Sequence, residues 1–360
     1  MRIIYMTSSS SLSGGTRQAM YSARGLMDRG HNVTFLVPHN AEITGLDDRI
    51  DWRRLPEAPA DWRAEAERAL PEKGEPCIVH AFHNKANKKL AWWGLNWRKR
   101  GCVCLGYRGV IYRPSNPLPY WSPGIDCFVA NSQACAKVLR QTGLSSKRLE
   151  VIYNGIPDSR ITPLKDRHTM RSELGLKKGI PVLGTVAGDK SVKGVEFLLR
   201  GFAEAMHSGV KAQLLLVGAR AERWAPLAEE LGIADKALFR GRVENVADHL
   251  QVMDAFFLPS LKESLPNVVL EAFFFGLPIV ASNVGGLPEL VHDNGLLIPP
   301  KDSGAIAAAM TKVCHDPDLR KVWGRASQSK SVEFTMTAKV QRTADVYNML
   351  LERRGISTEI

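Results

Sequence analysis

Short apolar runs alternate along this chain with segments whose apolar residues recur every three or four positions, the pattern of βαβ units. Arg2–Met6 predicts a first strand, Ser8–Gly15 a polar loop, and Thr16–Arg29 a helix carrying Ala19, Met20, Ala23, Leu26 and Met27 on one side. Gly30 ends that helix and Asn32–Val37 is the next strand. Further strands are expected at Cys77–His80, Val103–Tyr107, Cys127–Ala130 and Leu149–Tyr153. Asn154-Gly155-Ile156-Pro157 reads as a turn, followed by a polar linker to about Asp166. The alternation then starts afresh, with strands expected at Pro181–Ala187, Gln213–Val217, Ala237–Arg240, Ala255–Leu258 and Pro278–Ala281. The pattern predicts an α/β protein of two Rossmann-like domains, with a cleft between the carboxyl ends of two parallel sheets. A last amphipathic helix is expected from about Phe334 to Arg354.

Composition narrows the class. At 360 residues, with 44% hydrophobic and 24% charged residues, the chain has the make-up of a soluble globular protein long enough for two domains. It contains no run of about 18 uncharged apolar residues, so a spanning helix is not expected. The opening Met1-Arg2-Ile3-Ile4-Tyr5-Met6 is too short to read as a signal peptide. Six cysteines without paired C-x-x-C spacing disfavour a zinc site or a disulfide framework, and a reducing cytoplasm is the simpler expectation. The net charge of +11 is uneven: residues 1–160 hold 23 Lys/Arg against 14 Asp/Glu, and residues 161–360 hold 25 against 23. The first half is therefore the expected contact face for something anionic: nucleic acid, acidic lipid or an acidic glycan.

The most telling stretch is Glu263-Ser264-Leu265-Pro266-Asn267-Val268-Val269-Leu270-Glu271. Ser264 suits an N-cap and Pro266 a first helical turn, so Glu263 would precede a helix and Glu271 lie about 9 Å along it. Two acids so placed can hold two hydroxyl-bearing parts of one elongated ligand, while open helix amides favour an anionic middle. A nucleotide-sugar has that layout. Two solvated acids at a helix start are the plain alternative.

With Gly14-Gly15, Cys77-Ile78-Val79-His80-Ala81-Phe82-His83, Val151–Pro157, Val192-Lys193-Gly194, Leu214–Gly218 and Val284-Gly285-Gly286-Leu287-Pro288-Glu289, this stretch makes the chain resemble the retaining glycosyltransferases of family 4. The resemblance spans most of the chain and implies a GT-B fold of two Rossmann-like domains facing each other. The first would be residues 1–160 plus a C-terminal helix, about 334–360, crossing back to it; the second would be residues 161–333. It also implies hexose transfer from a UDP- or GDP-sugar to a cell-surface glycan or lipid-linked acceptor, of lipopolysaccharide type. By the same resemblance Glu263 lies near the donor sugar, Glu271 binds the ribose, and the turn Ser264-Leu265-Pro266-Asn267 belongs to the donor site. Lys193 is the expected diphosphate ligand, and the Gly14–Gly15 loop approaches the donor. Apart from an isolated Asp316-Pro317-Asp318, no aspartate-rich D-x-D metal motif is apparent, so neither metal nor cofactor is expected.

Two positions depart from the family pattern. Gly188 stands where an arginine is usual, leaving Lys190 as the candidate second cation. Arg108 stands where a histidine is usual; it ranks above His83 and His80 as the sugar- or acceptor-contacting group, although arginine cannot act as a base near neutrality. The basic segment 85–100 aligns Lys89, Trp93, Trp97 and Arg100 on one helical stripe. That stripe suits either the headgroup layer of an anionic membrane or packing on the protein's own sheet. The expected setting is cytoplasmic, at or away from the inner membrane face. A sugar-nucleotide epimerase of the same fold is the alternative enzyme. A nucleic-acid-binding protein is disfavoured, since no helix-turn-helix, RRM, OB or zinc-finger signature appears.

Overall fold

The computed structural model describes residues 1–11, 13–42, 47–73 and 75–356, which fall into two units: Met1–Gly155 with Thr335–Ile360, and Ile156–Phe334. The expected helix end at residues 357–360, and Leu12 of the expected polar loop, lie outside the described residues.

In the first unit the chain runs β1 (Arg2–Thr7), α1 (Gly14–Met27), β2 (Asn32–Val37), β3 (Asp51–Arg54), α2 (Trp62–Arg68), β4 (Cys77–Phe82), α3 (Asn84–Trp97), β5 (Cys102–Arg108), α4 (Leu118–Trp121), β6 (Cys127–Ala130), α5 (Gln133–Arg140) and β7 (Leu149–Val151). Its seven strands are all parallel, in the order β3-β2-β1-β4-β5-β6-β7. The second unit runs α6 (Arg167–Glu173), β8 (Val182–Val186), α7 (Val195–His207), β9 (Gln213–Val217), α8 (Ala221–Glu230), β10 (Ala237–Phe239), α9 (Ala247–Leu250), β11 (Ala255–Leu258), α10 (Asn267–Phe274), β12 (Ile279–Ser282), β13 (Gly295–Ile298), α11 (Ser303–His315) and α12 (Pro317–Ser331). Its six parallel strands follow the order β10-β9-β8-β11-β12-β13.

Each central strand is apolar on both faces because helices cover both faces, which is why the sequence shows continuous runs rather than alternation. β4, β5, β6, β11 and β12 are buried along their whole length. The two strands missed by the apolar pattern are edge strands. β3 reads Asp-Trp-Arg-Arg, with its end residues exposed, and β13 borders only β12. The order reverses between β1 and β4 in one sheet and between β8 and β11 in the other. Such switch points open a crevice at the strand carboxyl ends, where open α/β sheets bind ligands.

The last helix, α13 (Met336–Glu352), belongs to the first unit and lies on α1. A Cβ on Gly25 would stand 2.4 Å from Val340 Cγ2, so the two helices touch closely there. Lys339, buried, donates to Gln18 O at 2.9 Å and Gln18 Oε1 at 2.7 Å, and Gln18 Nε2 donates to Gly155 O at 2.9 Å. Farther along, the Tyr347 hydroxyl meets His80 Nδ1 at 2.7 Å and Tyr5 Oη at 3.2 Å.

Helix α3 resolves the two readings of its tryptophan stripe. Trp93 and Trp97 are buried in the core with Leu90 and Ala91, and Lys89 Nζ lies 4.4 Å from the centre of the Trp62 ring. The stripe Lys89, Trp93, Trp97 and Arg100 therefore packs inward. Among the described residues no helix is long and apolar enough to cross a membrane.

Candidate active site

In the second unit the chemistry gathers at the carboxyl ends of β8 and β11, the switch-point strands. After β8 the chain passes Gly188, Asp189 and Lys190 into a 3-10 turn, Ser191–Lys193, and enters α7 through Gly194. Gly194 adopts φ +70°, and a Cβ there would stand 2.0 Å from Pro259 O, so only glycine fits. Leu261 N donates to Val192 O at 2.7 Å, which ties the loop after β11 to this turn. The two loops bring Lys193 Nζ to 2.6 Å from Glu263 Oε1, with the carboxylate side chain only 10% exposed. Glu263 is fixed from a third strand as well, since its carbonyl accepts from Gly286 N at 3.3 Å in the turn after β12.

Helix α10 starts later than the sequence suggests. Pro266 occupies the N-cap and Asn267 is the first helical residue, while Ser264 and Leu265 lie before it. Proline carries no side-chain acceptor, so nothing from the N-cap side chain closes the first amides. One turn on, Glu271 is 2% exposed. Its Oε1 accepts from Arg160 Nε at 2.9 Å and its Oε2 from Arg160 Nη2 at 3.2 Å, a two-pronged fork. Each oxygen keeps a further lone pair for a hydroxyl donor. Arg160 lies in a 3-10 turn at the start of this unit and was not singled out by the sequence; the Pro157-Asp158-Ser159-Arg160 context carries no motif that would have found it.

Around Gly188 the structure adds a cation that the sequence reading missed. Gly188 is exposed and a Cβ there would meet nothing within 4 Å, so packing does not force glycine. The neighbouring Asp189 accepts from the Arg220 amide at 3.0 Å, from Arg220 Nε at 2.5 Å and from Trp224 Nε1 at 3.0 Å. These bonds, the Arg220 amide first, hold the Asp189 carboxyl below the usual carboxylate range. Arg220 is thereby anchored beside the loop that lacks the expected arginine, and Lys190 stands exposed on the loop itself.

In the first unit the expected ranking reverses. Arg108 is 2% exposed, and its guanidinium is spent on the fold. Nε donates to Val110 O at 3.2 Å; Nη1 donates to Asn84 Oδ1 at 2.9 Å and to Tyr120 Oη at 2.8 Å; Nη2 donates to Tyr112 O. It is a buried post for the segment after β5, not a ligand-facing cation. His80 is likewise a core residue: it is 3% exposed, and its ring stacks on Phe82 with centroids 4.5 Å apart. Burial pushes its imidazole down to about 3.

His83 differs. It follows β4 at φ +74°, a conformation that is strained for a residue with a Cβ. Its Nδ1 lies 2.9 Å from Thr7 Oγ1 at the end of β1, and its Nε2 lies 3.1 Å from Ser13 Oγ, the N-cap of α1. Burial lowers its pKa, so the ring is neutral near pH 7, with one nitrogen donating and the other accepting. Gly14 and Gly15 form the first turn of α1 rather than the loop before it. A Cβ on Gly15 would stand 3.1 Å from His83 Nε2, while Gly14 faces open space. The structure therefore joins His83, Ser13, Thr7 and Gly15 at the switch point between β1 and β4, and leaves out Arg108 and His80.

Comparison with known proteins fits this geometry. Residues 12–160 match the family model described as Glycosyltransferase Family 4, and residues 179–316 match the one described as Glycosyl transferases group 1. The chain is 31% identical over 227 residues to N-acetyl-alpha-D-glucosaminyl L-malate synthase of Bacillus anthracis, an alignment covering 62% of this chain and 59% of that protein. It is 34% identical over 217 residues to D-inositol 3-phosphate glycosyltransferase of Corynebacterium jeikeium, covering 56% and 52% respectively. The chain thus spans little more than half the length of these curated relatives. Among solved structures it resembles Anabaena HepE in complex with UDP, with a TM-score of 0.84 at 19% identity over 97% of this chain and 100% of that one. It also resembles WaaG, a glycosyltransferase involved in lipopolysaccharide biosynthesis, with a TM-score of 0.69 at 17% identity over 96% and 99%. With its two switch-point sheets and these two matched domains, the chain belongs to the GT-B glycosyltransferases, a family 4 domain followed by a group 1 domain.

Proposed function

We propose that this protein transfers a hexose from a UDP- or GDP-sugar to a glycan or lipid-linked acceptor with retention at the anomeric carbon. One observation carries the reading: Lys193 and Glu263 are paired at 2.6 Å on loops from β8 and β11, with buried Glu271 eight residues along the chain on α10. The relatives add support, since HepE was crystallised with UDP and with UDP-glucose.

In this reading the ion pair is the resting arrangement. Donor binding exchanges it: Lys193 turns to the diphosphate, and Glu263 accepts from the sugar hydroxyls. Glu271, held by Arg160, accepts from the ribose hydroxyls through its remaining lone pairs. Arg220 and Lys190 supply the positive charge that an arginine at position 188 would give. As the bond from C1 to the phosphate oxygen breaks, an acceptor hydroxyl attacks on the same face and its proton passes to the leaving phosphate. Nucleoside diphosphate departs, so no protein nucleophile is required. Lys193 stabilises the charge that grows on the phosphate, and that interaction strengthens only as the bond breaks. In the first unit, His83 replaces Arg108 as the residue offered to the sugar or acceptor.

The test is a panel of nucleotide-sugars, scored first by thermal stabilisation and then by NMR of the product formed on a lipid-linked acceptor. The proposal expects one donor class to raise the melting temperature, and a product with the donor's anomeric configuration. Inversion would refute the mechanism. Nucleotide-sugar isomerisation with no acceptor-dependent release of diphosphate would favour the epimerase. Excess chelator is expected to leave turnover unchanged, because protein cations meet the diphosphate charge.

A further inference from the structure

Helix α3 turns its tryptophan stripe inward, but its other face is the more unusual one. Nine large hydrophobic residues are exposed among the described residues, and six fall between positions 92 and 121: Trp92, Leu95, Val110, Tyr112, Leu118 and Trp121. Trp92 is 61% exposed, Tyr112 58%, Leu118 54% and Trp121 50%.

These residues are gathered by the fold. The Arg108 guanidinium ties Val110 and Tyr112 to Asn84, at the start of α3, and to Tyr120 of α4. The Ser122 hydroxyl donates to Ala91 O, and a Cβ on Gly94 would stand 2.0 Å from Gly124 O, so α3 and the chain leaving α4 touch backbone to backbone. Arg108 thus gains a role that the sequence reading did not give it, as the post that presents this apolar segment.

We propose that the outer face of α3 and the segment 110–121 form a docking surface for an anionic lipid bilayer. The charge is complementary. Residues 76–149 hold 12 Lys/Arg and a single acid, Asp126, for a local charge of 12 − 1 = +11. Asp126 is itself engaged by Arg98 at 2.8 Å and Arg354 at 2.6 Å, so it does not offset the exposed cations. Lys85, Lys88, Lys99 and Arg113 are exposed around the apolar residues. Tryptophan, tyrosine and leucine amid lysine are the side chains that enter the headgroup layer, with cations reaching lipid phosphate. A protein partner fits less well, because protein interfaces are depleted in lysine and this face carries Lys85 and Lys88 at the start of α3 and Lys99 just beyond its end. The inference deepens the proposed function by naming the carrier of the acceptor, a lipid at a membrane surface. It rests on that reading for its purpose, though not for its geometry.

The experiment uses the whole chain with phosphatidylcholine vesicles, with and without phosphatidylglycerol. Binding is read by co-sedimentation and by quenching of tryptophan emission with brominated lipid. The expected result is partition onto anionic vesicles only, weakening with salt. Lys85→Glu with Lys88→Glu should lower partition by about fivefold or more for each charge lost. Trp92→Ser with Leu118→Ser should remove much of the quenching. Circular dichroism and nucleoside diphosphate binding serve as controls for folding. Equal partition onto neutral vesicles, or anionic partition that neither pair of substitutions changes, would overturn the proposal. So would a concentration-dependent dimer that Trp92→Ser with Leu118→Ser dissolves. Vesicle binding without nucleotide affinity would sink the proposed function and leave this surface standing; the converse would do the opposite.

Discussion

Lys193 and Glu263 illustrate what one residue's neighbours add to its identity. The motif marks both, yet only the folded loops reveal that they neutralise each other at 2.6 Å. That pairing sharpens the expected phenotype of each. Glu263→Gln removes the carboxylate that competes for the lysine, so nucleoside diphosphate should bind as well as to wild type or better. Turnover should nevertheless fall about tenfold or more, because the sugar hydroxyls lose a charged, two-oxygen acceptor and meet a neutral amide in its place. Calorimetric titration beside steady-state rates checks this; a parallel loss of affinity and turnover would show that Glu263 also grips the diphosphate. His80, His83 and Arg108 teach the opposite lesson. They lie on or just beyond strands buried on both faces, where residue parity does not separate core from crevice. Sequence reading could name the three but not sort them: the bonds to Tyr347, Thr7 and Tyr120 do so.

At the scale of elements, most strands were legible because parallel strands covered on both faces leave continuous apolar runs. Asn32–Val37, Cys127–Ala130, Gln213–Val217 and Ala255–Leu258 match their expected limits. The edge strands β3 and β13 escaped, being short and uncovered on one side, and the start of α10 moved because Pro266 takes the cap. Contacts between distant segments were not legible at all. Arg160 and Glu271 are 111 residues apart, and no local pattern announces their fork. Beside it, Ile156 N donates to Phe334 O at 2.8 Å, and Phe334 lies 5.8 Å from Phe273 of α10. Helix α10 is thus held by both chain segments that bound the second unit. Arg160→Ala leaves a buried carboxylate without its fork and should cost about 2 kcal/mol of stability, together with weakened nucleoside diphosphate binding. Arg160→Lys keeps the charge but not the fork, so it should recover stability more than affinity. Chemical denaturation beside nucleotide titration separates the two, and unchanged affinity in Arg160→Ala would remove Arg160 from the site.

For the molecule as a whole, the buried polar contacts beneath α13 predict how stability follows pH. Burial pushes the Lys339 ammonium from its ordinary 10.5 down to about 7, so the unfolded chain binds more protons than the folded one between those values. This group should therefore add stability as pH rises from 7 towards 9, by at most about 1.4 kcal/mol per pH unit, before the thiols of Cys104 and Cys127, pushed up by burial, begin to act in the opposite sense. His80, lowered from 6.5 to about 3 by burial, acts in the same sense at lower pH: its contribution is present above 6.5 and is lost as pH falls through 3. Lys339→Met should flatten the alkaline rise and leave the acid loss in place. Melting temperatures measured across this range would show it; an unflattened rise would mean that Lys339 titrates normally.

The proposed function itself is a statement about the second unit: Lys193 and Glu271 are to hold the two ends of a nucleoside diphosphate. Equilibrium titration of UDP and GDP into wild type, Lys193→Ala, Glu271→Ala and Lys211→Ala, the last a distant exposed lysine, tests it most directly. The account predicts saturable binding of at least one nucleotide, weakened about tenfold or more in the first two variants and unchanged in the third. Failure of both nucleotides to bind wild type, or undiminished affinity in both Lys193→Ala and Glu271→Ala, would contradict it.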